Sequence, residues 1–252
     1  MAAESEKLWN ETGVDPVEIH LGKDSGYTLR AYRMSDTLPG APAAAAEREE
    51  DDERPDVAEN PEDEESGDVP DDAEFEDEDE VDVLDAVPEE VPVFLTRKGR
   101  LQLFRDAESL VKYVRSSDDN DLTAIDEYAD LQKRLSADDI TCDEDDIYEL
   151  DLVTTNLRGG HDAWDPELLI KAAEIGRDLG YALKNTSVIE ALAPGSPLDD
   201  VDEALRAIVD GGVRGMFAKR RLRKTGSESA AIAWRGVIAK INRSVEWHGE
   251  SE

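Results

Sequence analysis

Three observations predict an α+β fold for this chain. Two pairs of short strands carry alternating apolar residues, a series of capped amphipathic helices follows them, and an acidic stretch without apolar period separates the first strand pair from the rest. The expected architecture is a small antiparallel sheet of two hairpins, with about five helices on one face and a disordered acidic insertion. Residues 1–35 would supply the N-terminal hairpin. Residues 36–92 would be the acidic linker, and 93–252 the main α+β part with a basic C-terminal segment.

The first hairpin is read over residues 14–33. Val17, Ile19 and Leu21 alternate with Glu18 and His20, and Tyr27, Leu29 and Ala31 alternate on the return strand. Lys23 to Gly26 supplies the turn, and Trp9, just upstream, is placed to cover the apolar face. The linker follows. It holds 26 of the 63 acids, two of the 28 bases and seven of the eleven prolines, with Phe75 as its one aromatic residue. A segment this charged cannot bury enough apolar surface to offset its ordering entropy. Its tail, VDVLDAVPEEVP, carries a few apolar residues able to dock.

Order is expected again at Val93. VFLT, then RKG, then RLQLF reads as the second hairpin. Asp106 is placed to cap a helix with Leu110, Val111 and Val114 on its buried face. One further helix is expected over residues 122–135, from Leu122, Ile125, Tyr128, Leu131 and Leu135 at helical spacing. A short strand is possible in IYELDLV. Asp165 followed by Pro166 starts a helix that runs to about Leu183, and Ser196 followed by Pro197 starts another that ends at Gly211–Gly212. A final helix over about 229–245 places Ala231, Trp234, Ile238, Ile241 and Val245 along a seam that packs on the domain.

Composition excludes several classes. The net charge is −35 over 252 residues, with 39% apolar and 36% charged residues; ordinary globular chains run at roughly 45–50% and 25%. The excess acid is concentrated in one stretch, which argues against a salt-adapted surface spread over the whole fold. No apolar run approaches the roughly 20 residues of a membrane helix, and the start, MAAESEKLWNETG, lacks the basic and apolar regions of a secretory signal. The single cysteine, Cys142, allows no internal disulfide, and its acidic neighbours should raise its pKa. His20, His161 and His248 show no ligand spacing. The expected compartment is the cytoplasm, with no cofactor, no metal and no membrane partner.

The sharpest local feature is FAKRRLRK, residues 217–224. Residues 211–244 hold nine bases and one acid, Glu228. Arg214, Lys219, Arg220, Arg221, Arg223 and Lys224 are the candidate anion-binding residues, since a basic cluster attracts phosphate or carboxylate without needing sequence information. Gly211, Gly212 and Gly215 would let the backbone approach a phosphate closely. The plain alternative is a solvated basic face paired with the chain's own acids. The acidic stretch is a spacer, a competitor folded onto the basic patch, or a dock for a basic protein.

Catalytic signals are weak. There is no phosphate-binding glycine loop, no dinucleotide fingerprint and no zinc-protease motif. DITCDEDDIYE has the first spacings of a calcium loop but lacks its glycine and has Ile147 where an oxygen ligand belongs. NLRGGHDAWD places His161 beside Asp162 in a glycine-rich loop without an assignable nucleophile. Its plain reading is a loop anchored by a buried Trp164 and a helix cap.

The strings VPVFLTRKGRLQLFRDAESLVKYVRSSDDNDL, DPELLIKAAEIGRDLGYAL, LAPGSPLDDVDEALRAIVDGG and RGMFAKRRLRK resemble an actinobacterial family usually labelled primosomal protein or DNA primase. So does AIAWRGVIAKINRSVEW. The resemblance covers about residues 93–248 and the N-terminal hairpin. It implies a link to DNA replication, with no assigned functional residues. The expected function is therefore a non-catalytic accessory or binding protein. It would act near DNA or an acidic protein through the basic run. The alternatives are an adaptor that docks a basic protein on its acidic arm, and an enzyme built on NLRGGHD.

Overall fold

The N-terminal hairpin forms, turning at Gly22–Lys23 where Lys23 to Gly26 was expected, and becomes the centre of a larger sheet. Strand β1 (Val14–Leu21) pairs antiparallel with strand β2 (Asp24–Met34) through Val14↔Ala31 to Leu21↔Asp24. The structure, a computed structural model, describes residues 2–38 and 88–249. Most of the acidic stretch, with its expected disorder, thus lies outside the described residues. Its last residues do not: β3 (Glu90–Phe94) pairs antiparallel with the second half of β2, so the strand begins before the expected boundary at residue 93.

The second hairpin is smaller than its sequence suggests. Its arms are β4 (Thr96–Arg97) and β5 (Arg100–Phe104), joined by Lys98 and Gly99 at φ +52° and +70°. These are the two left-handed residues of a primed turn, whose twist matches the strands. Val93 and Phe94 belong instead to β3. At Leu95 the chain changes neighbour: its N–H donates to the Leu29 carbonyl (2.9 Å), and its own carbonyl accepts from the Gln102 N–H (3.0 Å).

Two short strands complete the sheet and make it mixed where an antiparallel sheet was expected. β6 (Ile147–Glu149) lies parallel to β1, and β7 (Val245–His248) parallel to β5. Both return to the sheet from intervening helices, which parallel pairing requires. Val245, expected at the end of the final helical seam, is in β7.

Both faces of the sheet are apolar, so both are covered, against the expectation of helices on one face. Val17, Ile19, Leu21, Phe94, Leu101 and Leu103 contribute to one core, and Val14, Leu29, Ala31, Val93, Leu95 and Phe104 to the other. The second core is closed by α1 (Ala2–Thr12), which buries Leu8 and Trp9, by α2 (Ala107–Ser116) and by α3 (Tyr128–Arg134). Asp106 caps α2 as expected, accepting from the Ser109 N–H at 2.7 Å. The helix expected over 122–135 breaks into a 3₁₀ turn, Asp121–Ala124, and α3. The extended backbone at Ile125 lets both Leu122 and Ile125 turn inward.

The first core is built by α4 (Leu150–Arg158), α5 (Pro166–Ala182), α6 (Thr186–Leu192), α7 (Pro197–Asp210), α8 (Gly212–Leu222) and α9 (Ser227–Arg243). Asp165 caps α5 and Ser196 caps α7, each with proline at the first helical position. The five expected helices are α2, α3, α5, α7 and α9. The described residues add α1, α4, α6 and α8; Asn185 caps α6, whereas α4 and α8 have no side-chain cap.

Candidate functional site

Most of the basic run singled out as an anion-binding patch lies on helix α8, with Arg223 and Lys224 just past its end. Gly211 and Gly212, at φ +77° and +67°, turn the chain between α7 and α8. Gly215 serves helix packing: a Cβ there would stand 2.9 Å from the Ala207 carbonyl oxygen of α7. Gly215 is thus taken up by the packing of α8 on α7, which corrects the expectation for that residue that it opens the backbone to a phosphate.

Only Gly215, Ala218 and Leu222 of α8 are buried, at spacings of three and four residues, which leaves most of the helix circumference in solvent. All six candidate bases, Arg214, Lys219, Arg220, Arg221, Arg223 and Lys224, are exposed. Arg221 pairs with Asp200 of α7, and Arg223 lies 3.7 Å from Asp162, both side chains being open to solvent. Among the described residues, Arg214, Lys219, Arg220 and Lys224 make no ion pair.

Between these cations lies a feature that charge counting missed. Val209 of α7 and Val213, Met216 and Phe217 of α8 are 63%, 69%, 75% and 69% exposed. Positions 213, 216, 217 and 220 follow helical spacing, so the apolar stripe continues into Arg220. The signal in the sequence was the interleaving of VRGMF with KRRLRK, visible only once the segment is read as a helix.

A cavity of about 190 Å³ opens beside this face. Trp164, Pro166, Leu205, Ile208 and Leu222 form its apolar lining, and His161, Asp162, Lys219 and Arg223 its polar one. The loop that carries His161 is tied down locally. Asn156 Nδ2 donates to the Ala163 carbonyl, Asn156 Oδ1 accepts from the Asp165 N–H, and Trp164 Nε1 donates to the Leu157 carbonyl at 2.8 Å. His161 Nε2 lies 2.8 Å from the Thr225 carbonyl, which can only accept, so this nitrogen carries the proton. The His161 ring rests against Trp164 at 4.6 Å between centroids. His161 and Asp162, neighbours in sequence, thus turn to different partners, and the buried Trp164 and helix-capping Asp165 match the plain reading of this loop. The two segments singled out separately in the sequence meet here, 64 residues apart, at His161 and Thr225.

A second charged cluster lies on the opposite flank of the first core. Arg30 of β2 is 8% exposed. Its Nη1 donates to the Tyr148 hydroxyl and its Nη2 to Asp146 Oδ1, both at 2.7 Å. Its guanidinium stands over the rings of Tyr32 and Tyr148. Tyr32 donates to Asp178 at 2.6 Å, and Asp178 lies 4.0 Å from Arg30. Burial pushes the Asp146 and Asp178 carboxyls above the usual carboxylate range, against the pull of Arg30. Cys142 is pushed up to about 12, first by burial and then by Glu18, Asp146 and Asp143, in the direction its sequence neighbours suggested. Among the described residues no group of three or more His, Cys, Asp or Glu side chains could hold a metal ion, and no helix is long and apolar enough to cross a membrane.

A crystal structure of a SatS C-terminal domain in complex with bromine is similar to this chain. It matches with a TM-score of 0.59 and 19% identity over 95% of this chain and 96% of that one. At this identity the likeness shows the fold alone. No curated protein matches. Nothing in these comparisons points to a primosomal protein or a DNA primase, so that resemblance is overturned by the family that does match, and the replication link loses the resemblance it rested on. The match spans residues 77–242, from the end of the acidic stretch through α8 and nearly all of α9, and by it this chain belongs to the SatS C-terminal domain family.

Proposed function

We propose that this chain is a non-catalytic binding protein that docks acidic, apolar polypeptide segments on its α7–α8 face. The observation that carries the reading is the stripe of Val209, Val213, Met216 and Phe217, more than 60% exposed at every position and bordered by six bases. Contiguous exposed apolar surface rimmed by polar groups marks an interaction site. The cations add attraction for carboxylates and fix register. A partner that satisfies both is a polypeptide in which acidic and apolar residues alternate. Duplex DNA would engage the bases through its phosphates but would leave Val213 and Met216 unused. The half-buried lone thiol of Cys142 suits a reducing compartment, and we place the protein in the cytosol.

The test is fluorescence anisotropy on the whole chain with two labelled probes, a peptide alternating Glu with Leu and a DNA duplex, at several salt concentrations. The peptide should bind, more weakly as salt rises. The pair Met216→Ser and Phe217→Ser should reduce its affinity about tenfold or more, the scale of losing two apolar anchors. DNA that binds while the peptide does not, or peptide binding indifferent to the pair, would overturn the reading.

A further inference from the structure

We propose that the cavity between the His161 loop and α8 is a subsite for one apolar residue at the carboxyl end of a polypeptide. This deepens, and rests on, the reading of the α7–α8 face as a polypeptide dock.

Size restricts the occupant. The cavity of about 190 Å³ is bounded by the buried side chains of Trp164, Leu205 and Leu222, with Pro166 and Ile208. An apolar cavity of about 150 Å³ holds one benzene ring, whereas sites for whole small molecules run from about 300 Å³ upward. One aromatic or branched side chain therefore fits, and a nucleotide does not.

Charge restricts it further. Lys219 and Arg223 are the cations among the lining residues. Lys219 makes no ion pair among the described residues, and Arg223 has only the exposed contact to Asp162 at 3.7 Å. Such a solvent-exposed pair is weak and easily exchanged. His161 is held by its Nε2 on the Thr225 carbonyl, which fixes the ring against Trp164 as part of the cavity wall. A chain end carries its side chain and its carboxylate on the same Cα. One terminal residue thus fills the apolar part and meets the two cations, without the chain having to enter and leave a one-residue space. Asp162 is the intramolecular stand-in for that carboxylate. An incoming chain end takes its place on Arg223, so Asp162 competes with the ligand.

The experiment compares N-terminally labelled Glu/Leu peptides ending in Phe, as the free acid and as the carboxamide, on the full chain. The acid should bind about tenfold more tightly, the scale of a charge-assisted contact. Asp162→Asn should tighten the acid and leave the amide unchanged. Lys219→Gln with Arg223→Gln, both at exposed positions, should remove the difference between acid and amide, and Ile208→Trp should remove it by filling the cavity. If acid and amide bind equally, or Asp162→Asn changes neither, the subsite is refuted while the docking face stands. If neither peptide binds, the docking reading itself fails.

Discussion

Arg30 and the arginines of α8 are the same side chain under opposite conditions. Arg30 is buried, donates to Tyr148 and Asp146, and is flanked by two tyrosine rings. The α8 bases stand in water, and four of the six lack an ionic partner among the described residues. The difference follows from desolvation. A charge removed from water must be matched within the fold, whereas an exposed charge costs nothing to leave unmatched. The Arg30 cluster is therefore bound to the stability of this protein, and the α8 cluster is left free to act on something else. The apolar neighbours sharpen the contrast. Around Arg30 the aromatic rings face the guanidinium, whereas beside Arg220 the side chains of Met216 and Phe217 are open to solvent.

The largest effect is expected at Arg30. Arg30→Met takes the ion pair from half-buried Asp146 and Asp178 and the donor from the Tyr148 hydroxyl, and should cost about 3 kcal/mol in chemical denaturation, the lower end of the scale for breaking a buried ion pair from one side. A loss near that of a surface substitution would erase the distinction between the two regions.

An intermediate effect belongs to His248, which is half-buried in β7. Its ring stacks on Phe104 at 4.6 Å, and its Nε2 lies 2.7 Å from Gln102 Oε1. Burial lowers its pKa below 6.5, with Glu246 opposing. Because the folded pKa is the lower one, the neutral ring's contribution is complete above about pH 6.5. It declines as pH falls through 6.5 toward the folded value. Denaturation of the wild-type chain and His248→Gln across pH 5 to 7.5 should show a difference in stability that shrinks on acidification. A constant difference would mean that the two states titrate this ring alike.

The smallest effect is expected on α8. Replacing Lys219, Arg220, Arg223 and Lys224 with Gln should move stability by no more than about 0.5 kcal/mol, because these side chains leave no buried partner behind. A loss of several kcal/mol would place them in the structural class of Arg30.

Much of the fold was legible where the cause is local. Asp106, Asp165 and Ser196 cap the helices they were expected to cap, because a capping side chain reaches only two or three residues along its own chain. The β1–β2 hairpin was legible from its period of two. The short strand expected in IYELDLV is β6, but its parallel pairing was not legible, nor was β7: three and four residues long, they owe their pairing to β1 and β5, more than a hundred residues away. Helix α8 was masked by its own opening, since Gly211–Gly212 reads as a loop and the bases that follow read as a charge run. The six residues singled out for anion binding are exposed, but their apolar companions Val213, Met216 and Phe217 were not singled out. The cavity depends on a contact between residues 161 and 225 that no spacing announces.

Strand β2 is unusual in its obligations. Along its 11 residues it pairs with β1, β3 and β5. The N-terminal piece therefore behaves as a plug seated in the remainder, held by two cores and three strand neighbours. With β6 on one side of β1 and with β3 and β5 along β2, residues 2–38 supply the middle of the sheet and cannot leave it without opening both cores.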